Sequence, residues 1–260
     1  MKNPLLWLER QALFAPEKSL RGTPDHVGLE YDDVFPVTAD RVKLHGWHIP
    51  GASNTVWLIF HGNGGNISVR LDQYREIHRR YGASILAIDY RGYGRSEGSP
   101  SEAGFYTDAL ATFGLARELH RAKKIVVFGR SMGGAVAAHL GSVVPEVKVD
   151  ALVLEASISS VPEVMRELAP WTRFTPVRFI IRSKFPTTRY VASRSTPLLV
   201  IHGDSDRTVS YKNAERIFEA ASQPKQLEII PGGDHDGLDL VDPQRYHLVL
   251  EEFLSGHDVL

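Results

Sequence analysis

Short apolar runs recur along this chain, each followed by a polar or glycine-bearing stretch and then by a helical pattern. Thr55 to Phe60 (TVWLIF), Ser84 to Ile88 (SILAI), Ile125 to Phe128, Ala151 to Leu154 and Pro197 to Ile201 are short and nearly continuous in apolar residues. That pattern predicts strands buried on both faces. Leu227 to Ile230 reads as the last strand. Val34 to Val37 and Val42 to Ile49 predict an antiparallel pair turned at Ala39-Asp40. Helices are expected from a cap at Asn66 or Ser68 to about Tyr81, from Ser101 toward His120, after Gly133, from Tyr211 to Ala221 and from Asp242 to Leu254. Strands alternating with helices over short connections predict an α/β fold: a mostly parallel eight-stranded sheet with helices on both faces.

Two stretches break this rhythm. Residues 1–15 predict a short helix carrying Leu5, Leu6, Trp7, Leu8, Leu13 and Phe14, either docked as an arm or lying at a membrane interface. Residues 157–195 contain Pro162, Pro170, Pro176 and Pro186, which stop any long helix. They are expected to form a small helical lid inserted in a single domain spanning 1–260.

Composition narrows the chemistry. A length of 260 residues suits one α/β domain. The net charge of −1 gives no general attraction to nucleic acid. The absence of cysteine removes disulfides, thiolate zinc sites and a cysteine nucleophile, and fits a reducing, cytoplasmic setting. No run approaches the ~20 apolar residues of a membrane span.

The sharpest chemical signal is Gly129-Arg130-Ser131-Met132-Gly133, a G-x-S-x-G between a predicted strand and a small-residue helix. In a nucleophile elbow the serine sits in a strained turn, and its neighbours two residues away must be small because strand and helix nearly touch. Gly94-Arg95-Ser96-Glu97-Gly98 matches the same spacing but leads into Ser99-Pro100 rather than a helix, so Ser96 is read as structural. A serine hydroxyl needs a base and a carboxylate to orient that base. His235, in the loop Gly232-Gly233-Asp234-His235 after the last strand, is the expected base. His61 and His202, each directly after an apolar run, read as structural. Asp206 is favoured as the acid over Asp204, with Glu155 a poor substitute and Asp89 structural. The order serine, acid, histidine is that of an α/β-hydrolase triad. Oxyanion donors are expected from the N–H groups of Met132 and of the loop His61-Gly62-Asn63-Gly64-Gly65-Asn66, with Asn63 first and Gly64 second. That loop lacks the lysine and spacing of a phosphate-binding loop. Asp234, Asp236, Asp239 and Asp242 are a candidate cation cluster or a solvated loop, and no metal is expected.

With Leu44-His45-Gly46-Trp47, the H-G-N loop, Asp89-Tyr90-Arg91-Gly92-Tyr93-Gly94-Arg95-Ser96, Gly129–Gly134, His202-Gly203-Asp204-Ser205-Asp206 and Gly233–His235 in this order, the chain resembles the α/β-hydrolase superfamily. It is most similar to the small, short-lidded serine hydrolases of the ABHD type. The resemblance implies a Ser131/Asp206/His235 triad, no cofactor, and a carboxylic ester or thioester substrate. An amidase or peptidase on the same triad, or a binding protein on the hydrolase fold, are the alternatives. The expected lid carries seven basic residues, Arg166, Arg173, Arg178, Arg182, Lys184, Arg189 and Arg194, against Glu163 and Glu167. Trp171, Phe174 and Phe179 are its candidate substrate contacts. The expected partners are a small-molecule or acyl-chain substrate and, through the basic lid or the N-terminal helix, a peripheral membrane surface.

Overall fold

The run TVWLIF is apolar throughout because both of its faces are covered. Strand β3 (Thr55–Phe60) sends Val56, Leu58 and Phe60 into one core and Trp57 and Ile59 into another. Alternation of side chains across a strand makes this division automatic. The computed structural model describes residues 13–120, 123–143, 147–169, 181–193 and 196–260. Its main sheet has eight strands: β1 (Asp32–Val34), β2 (His45–Ile49), β3, β4 (Ser84–Asp89), β5 (Lys124–Arg130), β6 (Ala151–Glu155), β7 (Leu198–Gly203) and β8 (Lys225–Ile230). Their order across the sheet is β8-β7-β6-β5-β3-β4-β2-β1. β1 and β2 are antiparallel to each other and β2 to β4; every other pair is parallel.

Helices cover both faces. α1 (Leu71–Tyr81) and α8 (Pro243–Gly256) pack Tyr74, Ile77, Tyr246, Leu250 and Phe253 with Trp57 and Phe128. On the opposite face, α2 (Glu102–Leu119), α3 (Met132–Val143) and α6 (Lys212–Ala220) bring Phe105, Ala135, Ala138 and Ile217 against Leu58 and Val127. Short helices α4 (Val161–Leu168) and α5 (Thr187–Val191) lie within the stretch expected as a lid, and α7 (Leu238–Val241) precedes α8. Ser101 caps α2 by accepting the Gly104 N–H, and Asp242 caps α8 by accepting the Arg245 N–H. Asn66 and Ser68 act together: Asn66 Oδ1 accepts from the Ser68 N–H at 3.0 Å and caps a 3-10 turn, Ile67–Arg70, that runs into α1.

Two expectations are corrected. The first strand covers Asp32–Val34 instead of Val34 to Val37, because Pro36 interrupts the ladder; Val37 keeps an isolated bridge to Lys43. The N-terminal helix does not continue to residue 15. Ala15 and Pro16 form a short parallel pair with Gly64 and Gly65. Beside it Phe14, 6% exposed, meets Phe105 and Phe185 edge-on. Residues 1–12, with Trp7, and 170–180, with Trp171, Phe174 and Phe179, lie outside the described residues. No described helix is long and apolar enough to cross a membrane.

Because six neighbouring strands are parallel, their carboxyl ends lie along one edge of the sheet. The loops beginning at His61, Ser131, Asp204 and Pro231 all leave from that edge, where open α/β sheets place their sites.

Candidate active site

Ser131 occupies the single residue between β5 and α3, with φ +53°. That left-handed conformation is costly for a residue with a Cβ and persists only where its surroundings enforce it. Here the Ser131 N–H donates to the Glu155 carbonyl at 2.9 Å, and its own carbonyl accepts the Gly134 N–H at 3.0 Å. The small neighbours are required by contact. A Cβ on Gly133 would sit 2.2 Å from the Phe60 carbonyl oxygen, and one on Gly129 would sit 2.4 Å from the Gly133 carbonyl oxygen. Backbone atoms cannot swing aside, so Gly133→Ala is expected to cost about 3 kcal/mol of stability. Chemical denaturation checks this, and a loss well under 1 kcal/mol would contradict the close approach. The second G-x-S-x-G behaves differently. Ser96 donates to the Asp89 carbonyl at 2.7 Å and accepts the His45 N–H at 2.8 Å, so its hydroxyl is consumed in holding a loop.

His235 and Asp206 are brought together. Asp206 Oδ2 accepts from His235 Nδ1 at 2.7 Å, and the Asp206 side chain is fully buried. Asp206 Oδ1 accepts the N–H groups of Thr208 and Val209, both at 2.8 Å. His202 adds a contact that sequence reasoning missed. Its Nε2 lies 3.1 Å from Asp206 Oδ2 and 2.8 Å from the Val209 carbonyl; both are acceptors, so Nε2 carries the proton. The only sign of this in the sequence is the spacing of His202 and Asp206 around the tight Gly203-Asp204-Ser205 turn. Asp204 is turned elsewhere: its Oδ1 accepts the Gly232 N–H at 2.7 Å and the Ser205 hydroxyl at 3.0 Å. Glu155 is occupied by Arg130 and the Tyr246 hydroxyl.

Burial works against the charged form of Asp206, but hydrogen bonds from His202, His235 and the Val209 N–H outweigh it. They hold this carboxyl well below the usual carboxylate range. Its ionisation therefore supports the fold above about pH 3.9, the unfolded value, and that support is lost as pH falls through the lower folded value. The gap in Tm between wild type and Asp206→Asn should be open at neutral pH and close on acidification below about pH 4. Thermal denaturation across this range checks it; a gap that widens in acid would be inconsistent with the hydrogen-bond set.

The H-G-N loop abuts the elbow. A Cβ on Gly62 would lie 3.3 Å from Ser131 Cβ. His61 bonds the Gly62 carbonyl through Nδ1 at 2.7 Å, and burial pushes its pKa down. Asn63 Oδ1 accepts from the Ala15 N–H at 3.2 Å and the Tyr93 hydroxyl at 3.1 Å, which fixes the loop from two sides. The Asn63 N–H has no acceptor among the described residues. Met132 opens α3, where the first N–H groups have no partner within the helix. Gly64 is more exposed and sits in register with Ala15.

The contact not made is between Ser131 and His235, whose side chains share no hydrogen bond among the described residues. Carboxylates of the 234–242 stretch, a candidate cation cluster or a solvated loop in the sequence, are engaged by neighbouring groups. Asp234 accepts the His235 N–H, Asp236 pairs with Arg70 and Arg130, and Asp242 caps α8. No group of three or more ligating side chains suited to a metal occurs among the described residues. The remaining arrangement is a serine on a strained turn, an imidazole oriented by a buried carboxylate, and backbone N–H groups at Asn63 and at the start of α3 that are free of partners within their own elements. It suits addition to a carbonyl group and stabilisation of the resulting oxyanion.

Residues 51–193 match the model of a family described as serine aminopeptidase, S33 (Hydrolase_4). An uncharacterized protein of Mycobacterium tuberculosis is 35% identical, over 88% of this chain and 80% of that one. The α/β hydrolase domain-containing protein WAV2 of Arabidopsis thaliana is 33% identical, over 84% of this chain and 76% of its own length. An esterase of Pyrococcus furiosus superposes with a TM-score of 0.77 at 22% identity, covering 94% of this chain and 98% of its own, a likeness of fold. The chain therefore belongs to the serine aminopeptidase S33 family of hydrolases and has the α/β-hydrolase fold.

Proposed function

We propose that this chain is a serine hydrolase that cleaves carboxylic esters or thioesters through an acyl-enzyme. The observation that carries the reading is the 2.7 Å contact of His235 Nδ1 with the buried Asp206, at the sheet edge that also holds the strained Ser131. In this reading Ser131 Oγ attacks the substrate carbonyl while His235 Nε2 takes its proton. The carboxylate of Asp206 keeps the proton of the resting imidazole on Nδ1 and balances the imidazolium as it forms. The N–H groups of Met132 and Asn63 hold the oxyanion, with Gly64 the second choice in the loop. Collapse of the tetrahedral intermediate expels the alcohol or thiol, protonated by His235, and leaves the acyl group on Ser131. Water then repeats the sequence and releases the acid. The open Ser131–His235 contact fits a resting site, since such bonds often tighten only when substrate fills the pocket.

The small, short-lidded ABHD type belongs to the same proposal, with Trp171, Phe174 and Phe179 as the acyl-chain contacts. A second reading, amide or peptide cleavage by the same residues, draws on the family description, serine aminopeptidase. A fluorophosphonate probe tests the common core. Labelling of wild type that disappears in Ser131→Ala is expected, and an unlabelled wild type would end the proposal. Graded p-nitrophenyl esters, acyl thioesters and aminoacyl p-nitroanilides then separate the two readings.

A further inference from the structure

Arg130 stands directly before Ser131 and takes no part in the steps above. Its side chain is 4% exposed, and arginine is seldom buried without a partner that needs it. Its Nη2 donates to the His235 carbonyl and lies 2.7 Å from Asp236 Oδ1. Its Nε faces Glu155 Oε1 at 3.1 Å, and Glu155 in turn accepts the Tyr246 hydroxyl. Asp236 Oδ1 also meets Arg70 Nη2 at 3.2 Å, at the end of the turn that follows the H-G-N loop.

These contacts join segments that are remote in sequence. The His235 loop runs between Gly232 and Gly237, at φ +74° and +70°, conformations that glycine adopts freely. Asp206 holds the imbedded end of the His235 ring, but a ring fixed at Nδ1 alone can still pivot. A second attachment at the backbone carbonyl of the same residue removes that freedom. A planar guanidinium can reach a carbonyl and a carboxylate with one face while another nitrogen meets a second carboxylate; an ammonium group is a single point. An apolar side chain would fill the same space without the cost of burying a charge, so what the arginine adds is direction.

We propose that Arg130 is a positioning residue which, through the His235 carbonyl and Asp236, sets the imidazole of His235 relative to the hydroxyl of the adjacent Ser131. The proposal rests on the serine-hydrolase reading for its consequence, but not for its geometry. Removing the guanidinium alone leaves the buried Glu155 without its cation, so Arg130→Met is made together with Glu155→Gln, and Glu155→Gln alone is the control. Relative to that control, kcat for a p-nitrophenyl ester and the rate of fluorophosphonate labelling are expected to fall about 100-fold, the scale of a misplaced catalytic group. KM and Tm are expected to stay near the control values. Arg130→Lys should not restore the rate. Asp236→Asn, which cuts one link from an exposed side chain, should give a smaller fall without loss of folding. A double variant as fast as its control, or rescue by lysine, would overturn the proposal.

A second measurement needs no turnover. In Ser131→Ala protein, the low-field proton resonance of His235 Nδ1–H is expected with Arg130 in place. It should broaden into exchange with water in the Arg130→Met/Glu155→Gln background. An unchanged resonance would overturn the positioning role. If wild type takes no fluorophosphonate label, the hydrolase reading fails on its own, and the resonance still decides whether Arg130 fixes the ring.

Discussion

Ser131→Ala is expected to lower ester turnover by about 10⁶-fold, and His235→Ala by a similar factor, because nucleophile and base act as one unit. The two alternatives that the sequence offers, Ser96 and His202, are already engaged. Ser96 is bound on both sides, between the Asp89 carbonyl and the His45 N–H. His202 spends its protonated nitrogen on Asp206 and the Val209 carbonyl. Combining the two changes should therefore cost little more than either alone. The measurement is kcat on a p-nitrophenyl ester, with protein freed of wild type. Retention of turnover above about 1% in Ser131→Ala would assign the chemistry to another group. The fold should survive both changes: the Ser131 hydroxyl makes no hydrogen bond among the described residues, and the strained φ at this position belongs to the backbone.

Asp206→Asn is expected to lower kcat by about 10⁴-fold, while Asp204→Asn should stay within a few-fold of wild type. The difference follows from what each carboxylate touches. Asp206 receives four hydrogen bonds, from His235, His202, Thr208 and Val209. An amide in its place brings a donor where two imidazoles already donate. Either the amide turns its oxygen to His235 and abandons the backbone N–H pair, or His235 changes tautomer and loses Nε2 as a base. Asp204 accepts from the Gly232 N–H and the Ser205 hydroxyl, and an amide oxygen can accept both. Parallel measurement of kcat and KM for the two variants decides it, and equal losses would show that the choice between the carboxylates was misassigned. If the cost of Asp206→Asn were instead only structural, it would appear in Tm without a matching fall in kcat.

Much of this was legible before any coordinates. The strands at 55–60, 84–89 and 151–155 follow from runs too short and too apolar for anything but a doubly covered sheet. The elbow was legible for a similar reason: glycines at 129 and 133 flank a serine exactly where a strand gives way to a helix, and steric contact demands them. The choice of Ser131 over Ser96 came from the same local context. What failed lay where local pattern competes with distant partners. Ala15 and Pro16 carry no strand signal, yet they pair with Gly64 and Gly65 because that loop presents an unpaired edge. The acidic stretch at 234–242 reads as a solvated loop more readily than as a cation cluster, but sequence cannot show that Arg70 and Arg130 pair with Asp236.

The sequence by itself determined the alternation of strands and helices, the sheet edge to which the loops lead, and the residue types that arrive there. These depend on burial periodicity and on steric limits within a few residues. Only the tertiary structure decided that His202 shares the carboxylate of Asp206, that Asn63 is braced by Ala15 and Tyr93, and that Arg130 reaches the His235 loop. Hydrogen bonds join atoms a few ångströms apart, and chain separation carries no information about which atoms those will be until the sheet has closed.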